Sequence, residues 1–246
     1  MVTNMAKVVR ENNLAISPSS NLRYERKFIF QNICLEDLVD TVVLTNNFCF
    51  EEVFAKRAVN NIYFDDNNFS FYNQNVAGDG IRKKYRLRWY DDVFSMITSP
   101  TLEIKKKFGE VGDKVSFKLN DFETDIKLLN VNQIYSQILL ALKETNNSEL
   151  IAKVNGMFPA LYNTYERRYF LSHCGKFRIT LDYNMNFFKP DYYNSFNSVD
   201  NKIDDIILEL KYNTEHDIES RNLTQQFNSR LTKNSKYVSG IDIINA

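Results

Sequence analysis

The sequence predicts an α+β fold in which antiparallel strands form a barrel with a charged interior. Side chains of a strand alternate between two faces, and four segments carry a charge at nearly every second residue, with apolar residues between: 81–90, 101–108, 176–183 and 206–212. Each of these strands therefore has one apolar and one ionic face. Because most of the charges are Lys and Arg with single Glu or Asp residues among them, the pattern favours a lumen that binds a polyanion together with a metal.

Composition indicates one large domain with a sizeable core. The chain has 246 residues, of which 43% are hydrophobic and 14% aromatic; aromatic residues favour strands. Lys plus Arg and Asp plus Glu each number 31, which argues against a general nucleic-acid binder, since such proteins have a net basic surface. We expect residues 1–20 to be a flexible leader and residues 21–246 to form the domain.

Cysteine usage and hydropathy predict a cytoplasmic protein. The three cysteines lack paired spacing, and residues 1–20 lack the apolar core of a secretion signal. No apolar run approaches the length of a transmembrane helix. Docking to a membrane partner remains compatible with these features.

The first half of the chain predicts five strands and one helix. Residues 35–44 have helical apolar spacing, with acidic residues near the start. Residues 65–68, Asp-Asp-Asn-Asn, are a turn signal, and residues 109–113 join two strands as a hairpin. The strands are predicted at 22–30, 58–64, 81–90, 101–108 and 115–119.

The second half alternates between helices and strands. Residues 131–142 have the clearest helical spacing, and residues 173–175 predict a hairpin turn. Residues 189–201 are predicted to be a polar loop. Further helices are expected at 148–154 and 221–231, and strands at 161–170, 176–183 and 206–212.

Eight short motifs follow one another along the chain. They are YERKF (24–28), IYFD (62–65), RLRWY (86–90), LEIK (102–105), YERRYF (165–170), RITLD (178–182), ILELK (207–211) and SKY (235–237). This ordered set resembles the vacuolar transporter chaperone (VTC) domain, the polyphosphate polymerase branch of the CYTH or triphosphate tunnel metalloenzyme superfamily. The resemblance covers residues 22–241. It implies a closed antiparallel tunnel of eight strands with helices packed outside.

The resemblance also implies an activity and its residues. A polymerase of this family passes the terminal phosphoryl group of ATP to a polyphosphate chain, with Mn²⁺ or Mg²⁺ bound in the tunnel. Glu209 matches the metal-binding glutamate, and Lys211 joins Arg86, Arg88, Lys105 and Arg178 in binding the triphosphate. The cations that match the catalytic positions of the family are Lys27, Arg86, Arg88, Lys105, Lys118, Arg167, Arg178 and Lys236.

Several points depart from the family pattern or stay open. The superfamily opens with Glu-x-Glu-x-Lys, whereas this chain has Arg23 in place of the first glutamate, which counts against two-metal hydrolysis. Either Arg167 or Arg168 faces inward. Lys83, Lys84, Lys106 and Lys107 are expected at the entrance or surface, and an aromatic residue at the mouth is a possible stacking partner for a purine, with none singled out. The alternatives to a polymerase are a tunnel triphosphatase and a non-catalytic polyphosphate sensor.

Overall fold

A computed structural model describes residues 23–91, 94, 96–144, 147–191 and 201–246. The predicted leader, residues 1–20, lies outside the described residues, as does most of the predicted loop 189–201. Within the described residues, no helix is long and apolar enough to cross a membrane.

The fold consists of twelve described strands and six described α-helices. The helix α1 continues as a π-helical turn at Val39–Leu44, and 3₁₀ turns at Thr214–His216 and Gln225–Phe227 flank α5. The helices are α1 (Leu35–Leu38), α2 (Ser70–Ala77), α3 (Val131–Lys143), α4 (Ser148–Asn155), α5 (Asp217–Thr224) and α6 (Lys236–Ile244). The strands are β1 (Arg23–Phe30), β2 (Phe50–Asp65), β3 (Ile81–Tyr90), β4 (Met96–Thr98), β5 (Thr101–Phe108), β6 (Val111–Lys118), β7 (Glu123–Asp125), β8 (Phe158–Ser172), β9 (Arg178–Phe188), β10 (Asn201–Ile203), β11 (Ile206–Asn213) and β12 (Leu231–Thr232).

Eight antiparallel strands form a closed ring, which confirms the predicted tunnel. Their order is β9-β11-β1-β6-β5-β3-β2-β8, and β8 pairs back with β9. The narrowest seam lies between β1 and β6, which pair within the described residues at Arg23–Gly112 and Tyr24–Val111. Further along β1, Lys27 and Phe28 pair with β12 instead. A short C-terminal strand therefore pairs with β1 beyond the point where β6 begins at Val111.

Two apolar clusters hold the helices against the outside of the ring. The amphipathic α3 buries Val131, Ile134, Ile138 and Leu142, and with α4 it packs on the outward apolar residues of β3 and β5, including Trp89. On the other side, α1, the π-helical turn and α5 cover outward residues of β1, β9 and β11. The outward faces thus supply the core, and the ionic faces are left to the lumen.

A third cluster lies at one end of the ring, where α6 packs. Tyr237 and Ile241 of α6 contact Tyr63, Leu161 and other residues of the inner wall. The hydroxyl of Tyr237 donates to Asp65 Oδ2 at 2.5 Å, and Asp65 also accepts from the backbone at the start of α2. We call this the α6 end of the tunnel, and the opposite end the open end.

Several elements differ from those predicted from the sequence, including β6, which begins at Val111 within the predicted loop 109–113. The helix predicted at 221–231 is wrong in extent, because α5 spans Asp217–Thr224 and Asn228 then adopts a left-handed conformation (φ 47°) before β12. The strand predicted at 58–64 begins at Phe50, where β-bulges disturb the alternation of side chains. The helices α2 and α6 were not predicted. The hairpin turn at 173–175 is confirmed, with Gly175 at φ 73°.

The close packing of α6 on the wall predicts that a larger side chain at Gly240 destabilises the protein. A Cβ atom on Gly240 would lie 2.4 Å from Leu161 Cδ2 and 2.5 Å from Phe187 Cδ1, and both side chains are fully buried. We expect Gly240→Ala to lower the free energy of unfolding by about 1–3 kcal/mol through overpacking, despite the higher helix propensity of alanine. Chemical denaturation measures this change.

Gly80→Ala is the matched control. No atom lies within 4 Å of a Cβ at Gly80, and its φ is not positive. Its stability should change by less than about 1 kcal/mol. Equal effects of the two substitutions would show that α6 does not pack on the wall.

Candidate functional site

The register of the ring places the predicted cations on one inner face. Residues directly opposite on adjacent strands share a face. Arg86 lies opposite Glu103, and Lys27 lies opposite Glu209. Lys105 has a lysine opposite it on each neighbouring strand, β3 and β6. Charged residues of the inner face include Glu25, Lys27, Arg82, Lys84, Arg86, Arg88, Glu103, Lys105, Lys107, Lys114, Lys118, Arg167, Arg178, Asp182, Glu209 and Lys211.

Glu103 neutralises part of the β3–β5–β6 wall. Its carboxylate lies 2.7 Å from Arg86 and 2.7 Å from Lys114, and 3.5 Å from Arg88. Burial alone would raise the pKa of Glu103, but Arg86 and Arg88 hold it well below the usual range. The carboxylate is therefore ionised and orients the two arginines.

Two uncharged residues position Arg88 on this wall. Its Nε donates to Asn61 Oδ1 at 2.9 Å and its Nη2 to the hydroxyl of Tyr165 at 3.1 Å. Arg167 and Lys236 lie over the ring of Tyr165, with their charged atoms 5.2 and 4.8 Å from its centroid. Burial would raise the pKa of Tyr165, but Arg167 and Arg88 lower it. The buried side chain of Tyr165 thus contacts three cations.

Glu209, which lies on the wall opposite β3, β5 and β6, has four cations within 4 Å of its carboxylate. The distances from its carboxylate are 2.9 Å to Lys211, 3.2 Å to Lys27, 3.4 Å to Arg167 and 3.7 Å to Lys236. Burial would raise the pKa of Glu209, but Lys211, Lys27 and the two others hold it well below its usual range. Glu209 is therefore an ionised, buried oxygen donor.

Asp182 fixes two of the predicted site residues, and it resolves the open choice between the adjacent arginines. Arg167 Nη2 donates to Asp182 at 2.6 Å, and Lys236 Nζ lies 2.5 Å from the same carboxylate. Arg168 points outward, where it pairs with Glu52 and Glu36. The inward residue is therefore Arg167.

A cluster of lysines lies deeper in the tunnel. Lys105 Nζ lies 2.5 Å from Glu25, and Lys27 Nζ lies 3.6 Å from it. Burial, together with the charge of Lys27, lowers the pKa of Lys105 to about 8. Burial, Lys27 and Lys105 lower the pKa of Lys84 well below its ordinary value, and Lys84 donates to Ser235 Oγ at 2.6 Å. These amines repel one another in the absence of an anion.

The expectation that Lys83, Lys84, Lys106 and Lys107 lie at the entrance or surface is wrong for two of them. Lys84 and Lys107 occupy the inner face, because they alternate in register with Arg86 and Lys105. Lys83 and Lys106 lie opposite each other on the outward face. The period of two along β3 contained this signal, since Arg82, Lys84, Arg86 and Arg88 are evenly spaced.

Two predicted site residues stay outside the buried clusters. Lys118 lies opposite Thr101 and Arg178 lies opposite Lys211, which places both on the inner face by register. Both are exposed, and they lie towards the open end. Asn61 and Tyr165 were not predicted as site residues, because nothing in their local sequence pattern marks an uncharged residue as a partner of Arg88.

The carboxylate of Glu209 suits a divalent metal site that is completed by phosphate oxygens of the substrate. Within the described ranges, no group of three or more His, Cys, Asp or Glu side chains is placed to bind a metal. Mg²⁺ is commonly held by one or two carboxylates and completed by substrate phosphates and water. Glu209 is ionised and buried, so it fits as the single protein donor of such a site.

The low pKa of Lys105 predicts how stability depends on pH. The unfolded chain holds this proton up to about pH 10.5, whereas the folded protein releases it near pH 8. The unfolded state therefore binds more protons between these values, and the stability of the ligand-free protein should rise with pH from about 8 to 10. Thermal unfolding across this range measures the slope, and Lys105→Met should reduce it. An unchanged slope in the variant would assign the effect to another group.

Comparison with solved structures finds proteins that share this fold. A candidate adenylate cyclase from Vibrio parahaemolyticus superposes with a TM-score of 0.50 at 14% identity, covering 92% of this chain and 99% of that one. A candidate adenylyl cyclase from Hippeastrum, described as having a dominant triphosphatase activity, superposes with a TM-score of 0.51 at 11% identity, covering 90% and 95%. At these identities the likeness concerns the fold.

Sequence comparison identifies the family. No curated protein sequence gives a significant match. The sequence model of the VTC domain matches residues 13–245, nearly the whole chain. The chain belongs to the VTC domain family.

Proposed function

We propose that this protein is a polyphosphate polymerase, which transfers the terminal phosphoryl group of ATP to a polyphosphate chain. The observation that carries the proposal is the row of cations along the inner face of β3, formed by Arg88, Arg86, Lys84 and Arg82. Six residue steps separate its ends, about 20 Å of strand. A row of this length offers contacts to more phosphates than a single triphosphate contains.

The neighbouring strands extend this row into a surface. Lys105 and Lys107 of β5 lie opposite Lys84 and Arg82, and Lys114 of β6 lies opposite Lys105. Arginine binds phosphate oxygens in a bidentate manner, and lysine adds a compact charge. Cations held in place before the reaction stabilise charge on a transferring phosphoryl group without reorganisation.

The transfer itself needs little covalent help from the protein. A terminal oxygen of the acceptor chain forms a bond to the γ-phosphorus, the bond from that phosphorus to the β–γ bridging oxygen breaks, and ADP leaves with that oxygen. A terminal phosphate is largely deprotonated at pH 7, because its second pKa is near 6. The acceptor therefore attacks without a general base.

The state of the lumen carboxylates supports transfer to phosphate over transfer to water. Water needs a base to accept its proton in the reaction. The pKa values of Glu25, Glu103, Asp182 and Glu209 are all lowered by neighbouring cations. Such carboxylates are weak bases towards water, so the lumen groups left to act as a base in hydrolysis are the amines of Lys84 and Lys105, whose pKa values are lowered.

The proposal includes one divalent ion, Mn²⁺ or Mg²⁺, held by Glu209 and by phosphate oxygens. When bound, it would neutralise charge on the triphosphate and assist departure of ADP. The protein's own contribution is to keep Glu209 ionised through its four neighbouring cations and to align the chain along β3.

Product analysis separates polymerase, triphosphatase and sensor. The purified protein is incubated with ATP and Mn²⁺ or Mg²⁺, and ADP, free phosphate and acid-insoluble polyphosphate are quantified. The proposal expects ADP in step with polyphosphate. ADP in step with free phosphate alone would make the protein a triphosphatase, and tight polyphosphate binding without any ADP would make it a sensor.

The position of each cation along β3 predicts a dependence on chain length. Arg88 lies towards the open end, and Lys84 lies four residues deeper along β3, beyond Arg86. We expect Arg88→Ala to weaken binding of tripolyphosphate and of long polyphosphate by about tenfold or more, since a charge-assisted contact contributes about 1.5–3 kcal/mol. Lys84→Met should weaken the binding of long polyphosphate more than the binding of tripolyphosphate. Competition titration measures both, and equal effects of Lys84→Met on the two ligands would contradict a path along β3.

Glu209→Gln tests the proposed metal ligand. The amide keeps the shape but is a poorer ligand for a hard cation, so Mn²⁺-dependent ADP formation should fall by at least about a hundredfold. Metal-free binding of polyphosphate should persist or strengthen, because a negative charge leaves the lumen. Glu166→Gln is the control, since Glu166 lies on the outward face of β8 and pairs with Lys56. Wild-type turnover in Glu209→Gln would rule Glu209 out as the ligand.

A further inference from the structure

Four side chains form a cluster at the open end that neither the core nor the ion pairs require. The guanidinium carbon of Arg57 lies 5.4 Å from the ring centroid of Phe54 and 5.8 Å from those of Tyr90 and Tyr169. Phe54 and Tyr169 meet edge to face, with centroids 5.8 Å apart. We call these four residues the rim cluster.

The rim cluster continues the inner face of the tunnel. Tyr90 follows Arg88 by two residues on β3, so it lies on the same face, about 7 Å further towards the open end. Arg57 lies opposite Arg167 across the β2–β8 pairing. Tyr169 lies on β8, also two residues beyond Arg167. The cluster therefore adjoins Arg88 on one wall and Arg167 on the other.

The exposure of the rings has no explanation in folding. Phe54 is 56% exposed and Tyr90 is 46% exposed, although burial of an aromatic side chain stabilises a protein. Arg57 is also exposed. A flat ring and a guanidinium plane at a solvent-facing rim are the groups on which nucleobases stack.

We propose that the rim cluster binds the base of a nucleoside triphosphate, while its phosphates extend inward past Arg88. This inference rests on the proposed function and assigns the nucleotide its orientation: the base stays at the open end, and the γ-phosphate lies deepest. Stacking on Tyr90 and Arg57 accepts any base, because every base has a π-face. The site therefore distinguishes nucleotides from inorganic tripolyphosphate and discriminates little between purines.

Binding measurements without turnover test the inference. Calorimetry in the presence of a chelator gives the affinity for ATP, GTP and inorganic tripolyphosphate. We expect Tyr90→Ala to weaken the binding of ATP and GTP by about tenfold, a typical loss for one stacking contact. The affinity for tripolyphosphate should stay within about twofold of the wild-type value. Tyr90→Phe keeps the ring and should bind ATP as the wild type does. Phe54→Ala provides a second variant at an exposed position.

The outcomes separate this inference from the function on which it rests. If Tyr90→Ala and Phe54→Ala weaken binding of ATP no more than binding of tripolyphosphate, the rim cluster does not bind the base, and the proposed function survives. If the wild type binds neither ligand, the proposed function fails and the inference fails with it. A loss specific to ATP would support the inference even in a protein that forms no polyphosphate.

Discussion

The structure depends on how many like charges a closed ring of strands can hold. Cations from seven strands and from α6 face one lumen, and their mutual repulsion opposes folding. Glu103, Glu209, Asp182 and Glu25 offset this repulsion, each contacting two or more cations. Because buried charges that lose a partner are costly, these carboxylates are as necessary to the empty tunnel as the cations are to a bound anion.

Incomplete neutralisation links stability to binding. The inner face carries more cations than carboxylates, and burial, together with the charge of Lys27, lowers the pKa values of Lys84 and Lys105. A bound polyanion supplies the missing negative charge, raises those pKa values and takes up protons as it binds. Stabilisation by the ligand, proton uptake and affinity therefore have one origin, the excess of positive charge in the lumen.

The sequence predicted the features that follow from the period of two, and it missed those that depend on distant contacts. The ionic faces of β3, β5 and β11 were read correctly, as was the ring that they form. Alternation fails in β2, where bulges between Glu52 and Arg57 shift the register. Lys84 was misplaced although its spacing from Arg86 is regular, because a lone lysine on a strand is more often solvated. Tyr165 acquires its role only when three strands and α6 meet around it.

The two walls of the tunnel differ, and this difference sets the path of a ligand. At the α6 end, the wall formed by β2, β8 and β9 carries Tyr63, Leu161 and Phe187, and α6 packs against these side chains. The wall formed by β3, β5 and β6 stays cationic along its length, to Arg82 and Lys107. A linear polyanion that follows charge must therefore keep to the second wall and pass beside α6, near the short pairing of β1 with β6. Next to that pairing β12 joins β1, so the C-terminal segment also borders the deepest part of the charged path.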